Sequence, residues 1–482
     1  MTVDAPPSTD LARERAEQQR WRLRSRFSRV KVFDRLVENE FLSEEEHRAQ
    51  QNRRLARLVR YTATRIPYYR DLLETHKLKP QDLRSVADLP KLPLLDKSVV
   101  RVNDARLQPA ELPRGARVYG VAASSGTTGQ PMRIVQAVSA NAMFTYLTQR
   151  SYRWFRFDPA KPLAFIRTAY DLPRRPDGQP YADGVTCRWP RWRYAGSFFH
   201  TGPWFGLTMT TPVERQIAWL QEIGPAYLGA PASWLEYLTY ATQGRVPADG
   251  IEAVIGVVEQ MTPPMRRRIE RVFAVPVQQN YGLNEVGLVA VRCHAGRYHV
   301  HAEHCIVEIV DEVGQPCPPG SPGRIAVTVL TNPAMPLIRY DTDDMAETVA
   351  EPCPCGRTLP AFANLVGRYR RYISVPEGSY NVYRALRTAV NEMPDELTRN
   401  LRQFQMHQYR DDRFELRLAT VGPLPAAFRE RVHAAWQAVI GDRRGTLSIV
   451  EVDEILRGPS GKFQDFTSDY MPPPDVDTVP QE

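Results

Sequence analysis

Short runs rich in β-branched and aromatic residues alternate with longer amphipathic stretches from about residue 117 onward. VYGVAA is followed by ANAMFTYLTQRSYRWF, and IEAVIGVV is followed by MTPPMRRRIERVF and then by VPVQQNYG. The first kind of run is typical of strands and the second of helices. Strand, helix, strand order along a chain indicates a sheet covered by helices, so the sequence predicts an α/β fold.

The pattern divides the 482 residues into three parts. Residues 1–54, dense in Arg, Glu, Gln and Leu, are predicted to form an N-terminal helical extension. Residues 55–366 are predicted to form a large domain with α/β sheets, including a β subdomain at 305–350 where apolar runs flank a Gly/Pro turn. Residues 367–482 carry a further β, α and β series whose length suits a small C-terminal α+β domain.

Composition excludes several classes of protein. Hydrophobic residues make up 43% of the chain and charged residues 24%, which argues against disorder, collagen-like repeats and a disulfide scaffold. The net charge of +8 is small for this length, so we expect neither nucleic acid nor membrane as a partner. Residues 1–20 lack the apolar segment of a secretory signal, so we expect a cytoplasmic protein. The basic N-terminal pattern is interleaved with Glu and favours a solvated face or a homodimer contact.

A run of small hydroxyl residues and glycines lies between a strand-like and a helix-like run. Its members are Ser124, Ser125, Gly126, Thr127, Thr128 and Gly129, followed by Gln130 and Pro131. Backbone N–H groups and hydroxyls in such a loop can surround phosphate oxygens. The order differs from that of the P-loop, and a flexible turn is the alternative interpretation.

The motif NYGLNE, residues 280–285, follows another strand-like run. A carboxylate at a strand end, next to an aromatic ring and a Gly turn, can hold Mg²⁺ while the ring stacks on a base. This makes Glu285 a candidate Mg²⁺ ligand and Tyr281 a candidate stacking residue. A Gly turn followed by a solvated Glu is the alternative.

Two further motifs carry charge. RYDTDD, residues 339–344, is an acidic turn in which a carboxylate can accept two ribose hydroxyls. RGPSGKF, residues 457–463, places Lys462 on a Gly-flanked loop, from which it can reach a developing negative charge. Taken singly, an acidic loop is more often solvated and such a lysine is more often a surface charge.

In their order and spacing, these motifs resemble the adenylate-forming superfamily of acyl-CoA ligases, peptide-synthetase adenylation domains and luciferases. The sequence looks most like the phenylacetate-CoA ligase branch, over about residues 55–465. The resemblance rests on SSGTTGQP, GAPASW, VVEQMT, YGLNE, AMPLIRYDTDD, CPCGR, VGR and PSGK.

The resemblance implies roles for these residues. Residues 124–131 would hold the ATP phosphates, while Tyr281 would lie beside the adenine in a turn with Gly282 and Asn284. Glu285 would bind Mg²⁺ and Asp344 the ribose.

Two C-terminal residues complete the implied nucleotide site. Arg368 would also reach the nucleotide, and Lys462 would bridge the carboxylate of the acid and the α-phosphate. The small C-terminal domain would be a mobile lid that rotates about residues 367–371 and withdraws this lysine.

The implied reaction activates a carboxylic acid with ATP and Mg²⁺ as an acyl adenylate and then transfers the acyl group to coenzyme A. The sequence departs from the family pattern at three places. Gln130 replaces a Lys, Asp343 replaces a Gly, and Arg370 and Arg371 replace an acidic hinge. These departures concern the choice of acyl acceptor more than the activation of the acid. An amine or another nitrogen nucleophile is therefore the alternative acceptor. A nucleotide-binding pseudoenzyme is a third hypothesis.

Two separated pairs of residues supply a potential metal site. Cys293 and His299 form one pair and Cys353 and Cys355 the other, which together make a Cys₃His set suited to structural Zn²⁺. Four unlinked residues are the alternative. His294, His301 and His304 are competing imidazoles.

By the same resemblance, aromatic-rich stretches would form the wall of an acyl pocket. The candidates are Tyr170, Phe199, His200, Trp204, Trp234 and Val257. Such walls suit an aromatic or arylalkyl acid. Ordinary core packing is the alternative for each of these residues.

Overall fold

The structure is a computed structural model that describes residues 30–123, 132–195, 199–366, 373–375, 378–380, 386, 389–390, 393–409, 413–440, 445–455 and 466–469. Several residues singled out above lie outside the described ranges: Ser124, Ser125, Gly126, Thr127, Thr128, Gly129, Gln130, Arg368, Arg370, Arg371 and Lys462. Their roles remain predictions.

The described helices are α1 (Val30–Glu38), α2 (Glu44–Arg65), α3 (Pro67–Thr75), α4 (Lys97–Val102), α5 (Val138–Trp154), α6 (Val213–Ile223), α7 (Ala232–Ala241), α8 (Pro263–Phe273), α9 (Asp395–Thr398) and α10 (Ala426–Ile440). Short 3₁₀ helices occur at Asn39–Phe41, Pro80–Asp82, Val86–Lys91 and Ala105–Leu107. None of the described helices is both long enough and apolar enough to cross a membrane.

The described strands are β1 (Val118–Ala123), β2 (Arg133–Ala137), β3 (Leu163–Arg167), β4 (Cys187–Trp189), β5 (Trp204–Thr208), β6 (Tyr227–Pro231), β7 (Ala253–Val257), β8 (Val277–Leu283), β9 (Gly287–Arg292) and β10 (Tyr298–Val300). They continue with β11 (Cys305–Val310), β12 (Pro322–Val329), β13 (Tyr340–Thr348), β14 (Ala361–Val366), β15 (Ile373–Val375), β16 (Gly378–Tyr380), β17 (Leu401–Gln408), β18 (Arg413–Thr420), β19 (Thr446–Val452) and β20 (Phe466–Ser468). The strands and helices predicted between residues 117 and 283 are all present.

Local chemistry explains how the N-terminal helices begin and end. Ser43 caps α2 in a capping box, because its hydroxyl accepts from the backbone N–H of Glu46 while the Glu46 carboxylate accepts from that of Ser43. Ile66 is extended, with φ −112° and ψ 111°, because a residue before proline avoids the helical region. Pro67 then begins α3 at a position where its missing N–H costs nothing.

Twelve strands form one mixed sheet in the order β11-β12-β13-β14-β10-β9-β8-β7-β6-β3-β5-β4. β3 pairs in parallel with both β5 and β6, and β7 pairs in parallel with β8. From β8 to β11 every neighbouring pair is antiparallel. The parallel strands are buried along almost their whole length, which explains their continuous apolar runs. The predicted α/β fold is confirmed.

Two buried clusters line this sheet. One joins α2 and α3, through residues such as Leu55 and Leu73, to Ile325 and Val327 of β12. The other joins α1 and α5, through Phe33 and Leu147, to the parallel strands. Strand β9 contributes to both clusters, with Val289 and Ala290 in the first and Leu288 and Val291 in the second.

The chain divides into two compact units. The first comprises Met1–Ala230, Ala248–Val257 and Val275–Tyr369, and the second comprises Pro231–Pro247, Val258–Ala274 and Arg370–Glu482. Helices α7 and α8 thus group with the C-terminal segment. The sequence-based boundaries, 1–54, 55–366 and 367–482, remain predictions.

The second unit has its own sheet and core. Its sheet has the order β19-β18-β17-β20, with β17 and β18 antiparallel and the two outer strands parallel to their neighbours. Phe414 and Leu416 of β18 belong to the same buried cluster as Val432 and Trp436 of α10.

A fully buried ion pair fixes α5 in the first unit. Arg150 donates from Nη1 to Glu303 Oε1 at 3.0 Å and to the Leu36 carbonyl at 2.7 Å, and from Nη2 to Glu303 Oε2 at 3.2 Å. Burial alone would raise the pKa of Glu303, but the guanidinium outweighs burial and lowers it. The pair joins α1, α5 and the segment that precedes β11.

We predict that Arg150→Met destabilises the protein by about 3–5 kcal/mol, because it leaves the Glu303 carboxylate buried without its cation. Urea unfolding followed by tryptophan fluorescence measures the change. Arg48→Met is the matched control, because Arg48 pairs with Glu44 on an exposed helix face. Equal midpoints for the two variants would contradict the prediction.

Candidate active site

Tyr281 and Asp344 meet although their strands are not neighbours. The Tyr281 hydroxyl of β8 donates to Asp344 Oδ2 of β13 at 2.8 Å and lies 3.4 Å from Thr342 Oγ1. Three strands separate β8 from β13 in the sheet order, a distance of about 19 Å in a flat sheet. The antiparallel part of the sheet is therefore strongly curved, and its curvature brings two of the predicted nucleotide-binding residues together.

Burial decides the chemistry of this tyrosine. The pKa of Tyr281 is raised well above its usual value, first by burial and then by the Asp344 carboxylate. The hydroxyl therefore remains protonated and acts as a donor, which orients the Asp344 carboxylate.

Glu285 lies just beyond the end of β8 and is mostly buried. The hydroxyl of Tyr340, the first residue of β13, donates to Glu285 Oε1 at 3.3 Å. Burial, followed by the Glu285 charge, raises the pKa of Tyr340, so this hydroxyl also stays protonated. A carboxylate oxygen held at this position is a suitable hard ligand for Mg²⁺.

The turn between β8 and β9 requires glycine at two positions. A Cβ on Gly282 would lie 2.9 Å from the Gly287 carbonyl oxygen, so a side chain there would displace β9. Gly287 has φ +97°, a conformation that side chains disfavour. On the other side of the turn, Gln136 donates to the Asn284 carbonyl at 3.2 Å. The backbone that carries Glu285 is thus narrowly constrained.

His304 is hydrogen-bonded to the same turn. Its Nε2 lies 2.9 Å from the Val286 carbonyl and its Nδ1 lies 2.7 Å from Thr331 Oγ1. Burial lowers the pKa of His304 to about 4, so the ring is neutral, with Nε2 donating to the carbonyl and Nδ1 accepting from the hydroxyl. We did not predict this role, because nothing in the local sequence pairs residue 304 with residue 286.

A separate cluster gathers the four predicted metal ligands. One ligand atom each from Cys293, His299, Cys353 and Cys355 lies within 4.8 Å of every other. Cys293 Sγ is 3.6 Å from Cys353 Sγ, too far for a disulfide, and Cys355 Sγ is 3.2 Å from His299 Nε2. The competing imidazoles lie elsewhere, with His294 exposed, His301 beside Arg150 and His304 under the β8–β9 turn.

Two short turns present these ligands. Cys293 directly follows β9 in a hairpin closed by its N–H bond to the Arg297 carbonyl, and His299 lies on β10. The Gly356 N–H closes a turn onto the Cys353 carbonyl, which places Cys353 and Cys355 opposite the hairpin. His299 Nδ1 lies 3.2 Å from the Leu359 carbonyl, which directs Nε2 toward the thiols.

Close packing of these groups shifts their pKa values. Hydrogen bonds from the Cys293 and Cys353 thiols and from His299 lower the pKa of Cys355. Burial opposes protonation of His299, but the thiols of Cys293 and Cys355 outweigh it and raise its pKa to about 9. The four groups form one coupled donor set whose types and spacing fit tetrahedral Zn²⁺.

Glu40 ties this cluster to the N-terminal segment. The Glu40 carboxylate accepts from Arg357 Nε at 3.1 Å and from Arg153 Nη2 at 3.4 Å. The Glu40 carbonyl accepts from the N–H and the hydroxyl of Thr358 at 3.0 and 3.1 Å. These bonds fix the chain that follows Cys355.

The six predicted pocket residues differ in their surroundings. Tyr170 is 88% exposed, whereas Phe199 and Trp204 are buried in the cluster that also contains Phe33. Val257 packs on the edge of that cluster. Their role in an acyl pocket remains a prediction.

The other two candidates are half-buried. His200 Nε2 is buried without a hydrogen-bond partner among the described residues, and Trp234 packs against Tyr237 in the second unit. Their role in binding an acid also remains a prediction.

Comparison with known proteins shows which proteins this chain is similar to. No family model matches it. A phenylacetate-coenzyme A ligase of Thermus thermophilus is 30% identical over 344 residues, which cover 69% of this chain and 72% of that protein. A phenylacetate-coenzyme A ligase of Escherichia coli is 26% identical over 372 residues, covering 75% and 78%.

Solved structures agree on the fold. A 2-hydroxyisobutyryl-CoA ligase in its postadenylation state matches with a TM-score of 0.69 at 18% identity, over 89% of this chain and 91% of the other. An anthranilate CoA ligase bound to anthranoyl-AMP matches with a TM-score of 0.50 at 12% identity, covering 78% and 73%.

The fold is that of the adenylate-forming ligases. The chain belongs to the phenylacetate-coenzyme A ligase family. The family and enzyme class that the motifs indicated are both confirmed.

We predict that acid destabilises the protein partly through His304. In the unfolded chain the histidine takes up a proton below about pH 6.5, whereas in the folded protein it does so only near pH 4. The free energy of unfolding therefore falls by about 3 kcal/mol as the pH is lowered between these values. Stability should therefore fall as the pH falls through this window, and His304→Gln should weaken the dependence. Urea midpoints measured from pH 7 to pH 4 provide the test.

The exposed His76 offers the matched control. His76→Gln should leave the slope of stability against pH as in the unaltered protein. A His304→Gln variant with the same slope as His76→Gln would refute the role of burial at residue 304.

Proposed function

We propose that this enzyme activates a carboxylic acid as an acyl adenylate and transfers the acyl group to coenzyme A. The observation that carries the proposal is the Tyr281–Asp344 hydrogen bond, with the Glu285 carboxylate close enough to raise the pKa of Tyr281, in a chain of this family. The relatives are named phenylacetate-coenzyme A ligases, which supports an aromatic or arylalkyl acid as the substrate.

The chemistry calls for these residue types. A carboxylate is a poor acyl donor, so its oxygen attacks the α-phosphorus of ATP and pyrophosphate leaves. The thiol of coenzyme A then attacks the acyl carbon of the adenylate and AMP leaves. The first step brings two anions together, so it needs positive charge near the α-phosphate.

Each residue has a proposed part in these steps. Asp344, oriented by Tyr281, accepts the ribose hydroxyls, and the Tyr281 ring lies beside the adenine. Glu285 would hold Mg²⁺, which neutralises phosphate charge when bound.

Motif residues outside the described ranges supply the remaining groups. Lys462 offsets the charge that develops between the acid and the α-phosphate. The loop 124–129 would surround the phosphates, and Arg368 would reach the nucleotide.

We predict that the purified protein releases pyrophosphate from ATP and Mg²⁺ with an arylalkyl acid such as phenylacetate, and that sustained turnover requires coenzyme A. A panel of aryl, arylalkyl and short acids, each assayed without acceptor, with coenzyme A and with hydroxylamine, tests this. Release that responds to hydroxylamine and ignores coenzyme A would contradict the thioester product and favour a nitrogen nucleophile as acceptor.

Lys462→Ala serves as the catalytic control for this assay. It should abolish adenylate formation while AMP still binds, because the lysine acts on the developing charge rather than on the nucleoside. Pyrophosphate release at the rate of the unaltered enzyme would reject the role given to Lys462. No release from any acid by the unaltered protein would favour a nucleotide-binding pseudoenzyme.

We also propose that Cys293, His299, Cys353 and Cys355 hold a structural Zn²⁺. Three thiolates and one imidazole at these separations suit a closed tetrahedral site. The cluster joins the β9–β10 hairpin to the chain before β14, so the ion would stabilise the packing of these two segments.

We predict about one zinc ion per chain by elemental analysis after dialysis. Cys353→Ser should lose the metal and lower the melting temperature, since three ligands hold the ion more weakly than four. Cys317→Ser is the matched control, because Cys317 is a partly exposed cysteine outside the cluster. A well-folded preparation that contains no metal would reject the site.

A further inference from the structure

We propose that Lys97 is a positioning residue for nucleotide binding. Paired with Asp343, it holds the part of β13 that presents Asp344 to the ribose. This inference rests on the proposed function, because it takes an adenine nucleotide as the ligand of Asp344. It adds to the site a residue from α4, well before the motifs in sequence.

The ribose-binding segment is a bulge in β13. Arg324 of β12 pairs with Met345, and Ala326 pairs with Asp341, so Ile325 faces three residues of β13. The middle one of the three is Asp343, with φ +62°. Bulges leave backbone groups unpaired and re-aim the side chains they carry, and here the re-aimed side chain is that of Asp344.

Lys97 occupies this bulge. Its Nζ donates to Asp343 Oδ2 at 2.7 Å and to the Thr342 carbonyl at 3.1 Å. Both side chains are largely buried, with exposed fractions of 18% for Lys97 and 10% for Asp343. One ammonium group therefore holds the carboxylate and the backbone of the bulge immediately before Asp344.

The lysine is itself anchored on both sides. The Leu95 N–H donates to the Arg339 carbonyl at 2.8 Å, and the Asp341 N–H donates to the Leu95 carbonyl at 3.0 Å. The Asp96 carboxylate caps α4 by accepting from the Ser98 N–H at 2.6 Å. The segment that carries Lys97 is thus bonded to β13 itself, so the amine keeps its place relative to the bulge.

Charge gives the pair a second effect. Asp341, Asp343 and Asp344 lie close together, and Arg324 pairs with Asp341 at 2.8 Å. Lys97 offsets the charge of Asp343, which would otherwise repel an anionic nucleotide in a partly desolvated site. Loss of Lys97 alone should therefore weaken nucleotide binding more than loss of both Lys97 and the Asp343 carboxylate.

This prediction separates two roles for Lys97. Glycine adopts a positive φ without strain, so Asp343→Gly removes the charge and keeps the bulge. If Lys97 acts through Asp343, then Asp343→Gly should largely rescue a Lys97 variant. If Lys97 instead touches the nucleotide directly, the double variant should bind as poorly as the single one.

The experiment measures AMP affinity by isothermal titration calorimetry for four full-length proteins: unaltered, Lys97→Met, Asp343→Gly and the double variant. We expect Lys97→Met to raise the Kd for AMP about tenfold or more, because a charged hydrogen-bond donor is lost beside a buried carboxylate. We expect the double variant to bind within about threefold of Asp343→Gly, as non-additivity of contacting residues requires. The Michaelis constant for ATP should rise in Lys97→Met while that for the acid stays the same.

Lys91→Met is the matched control, because Lys91 Nζ also holds one carboxylate, Asp88 at 2.6 Å, and one carbonyl, Asp82 at 2.9 Å. It should bind AMP as the unaltered protein does. Unchanged AMP affinity in Lys97→Met, or a double variant as weak as Lys97→Met, would overturn the positioning role. Failure of the unaltered protein to bind AMP would overturn the proposed function and this inference with it.

Discussion

Curvature of the antiparallel part of the twelve-stranded sheet is the constraint on which the site depends. Flat spacing would keep β8 and β13 about 19 Å apart, yet Tyr281 and Asp344 share a 2.8 Å hydrogen bond. The same curvature sets Tyr340 beside Glu285. Two predicted site residues, Tyr281 and Asp344, therefore touch, and the Glu285 carboxylate lies near enough to act on the pKa of Tyr281.

Buried charges fix the surrounding segments to this sheet. Arg150 with Glu303 holds α5, Glu40 with Arg357 holds the chain after the cysteine cluster, and Lys97 with Asp343 holds the bulge of β13. Each pair joins residues far apart in sequence. A buried charge is tolerated only where its partner is in place. These pairs therefore fix the relative positions of the segments they join and add little net stability.

Local patterns predicted much of the fold. The alternation after residue 117 predicted strands and helices that are present, because apolar periodicity directly reflects burial. The cysteine and histidine pairs were also recognisable, since each pair is presented by a single short turn. β17 was not predicted, because its run LRQFQMHQ is rich in Gln, and its pairing with β18 supplies what intrinsic propensity does not. Likewise, no local signal assigns α7 and α8 to the second unit.

The sequence by itself determined the family, the fold class and the identity of the motif residues, because these depend on residue types at fixed spacings. Only the tertiary structure decided that Tyr340 serves Glu285, that His304 supports the turn at Val286, and that Lys97 reaches Asp343. These contacts join residues 18 to 246 positions apart. They follow from how the sheet curves and how distant segments dock on it, and no local run of residues encodes either.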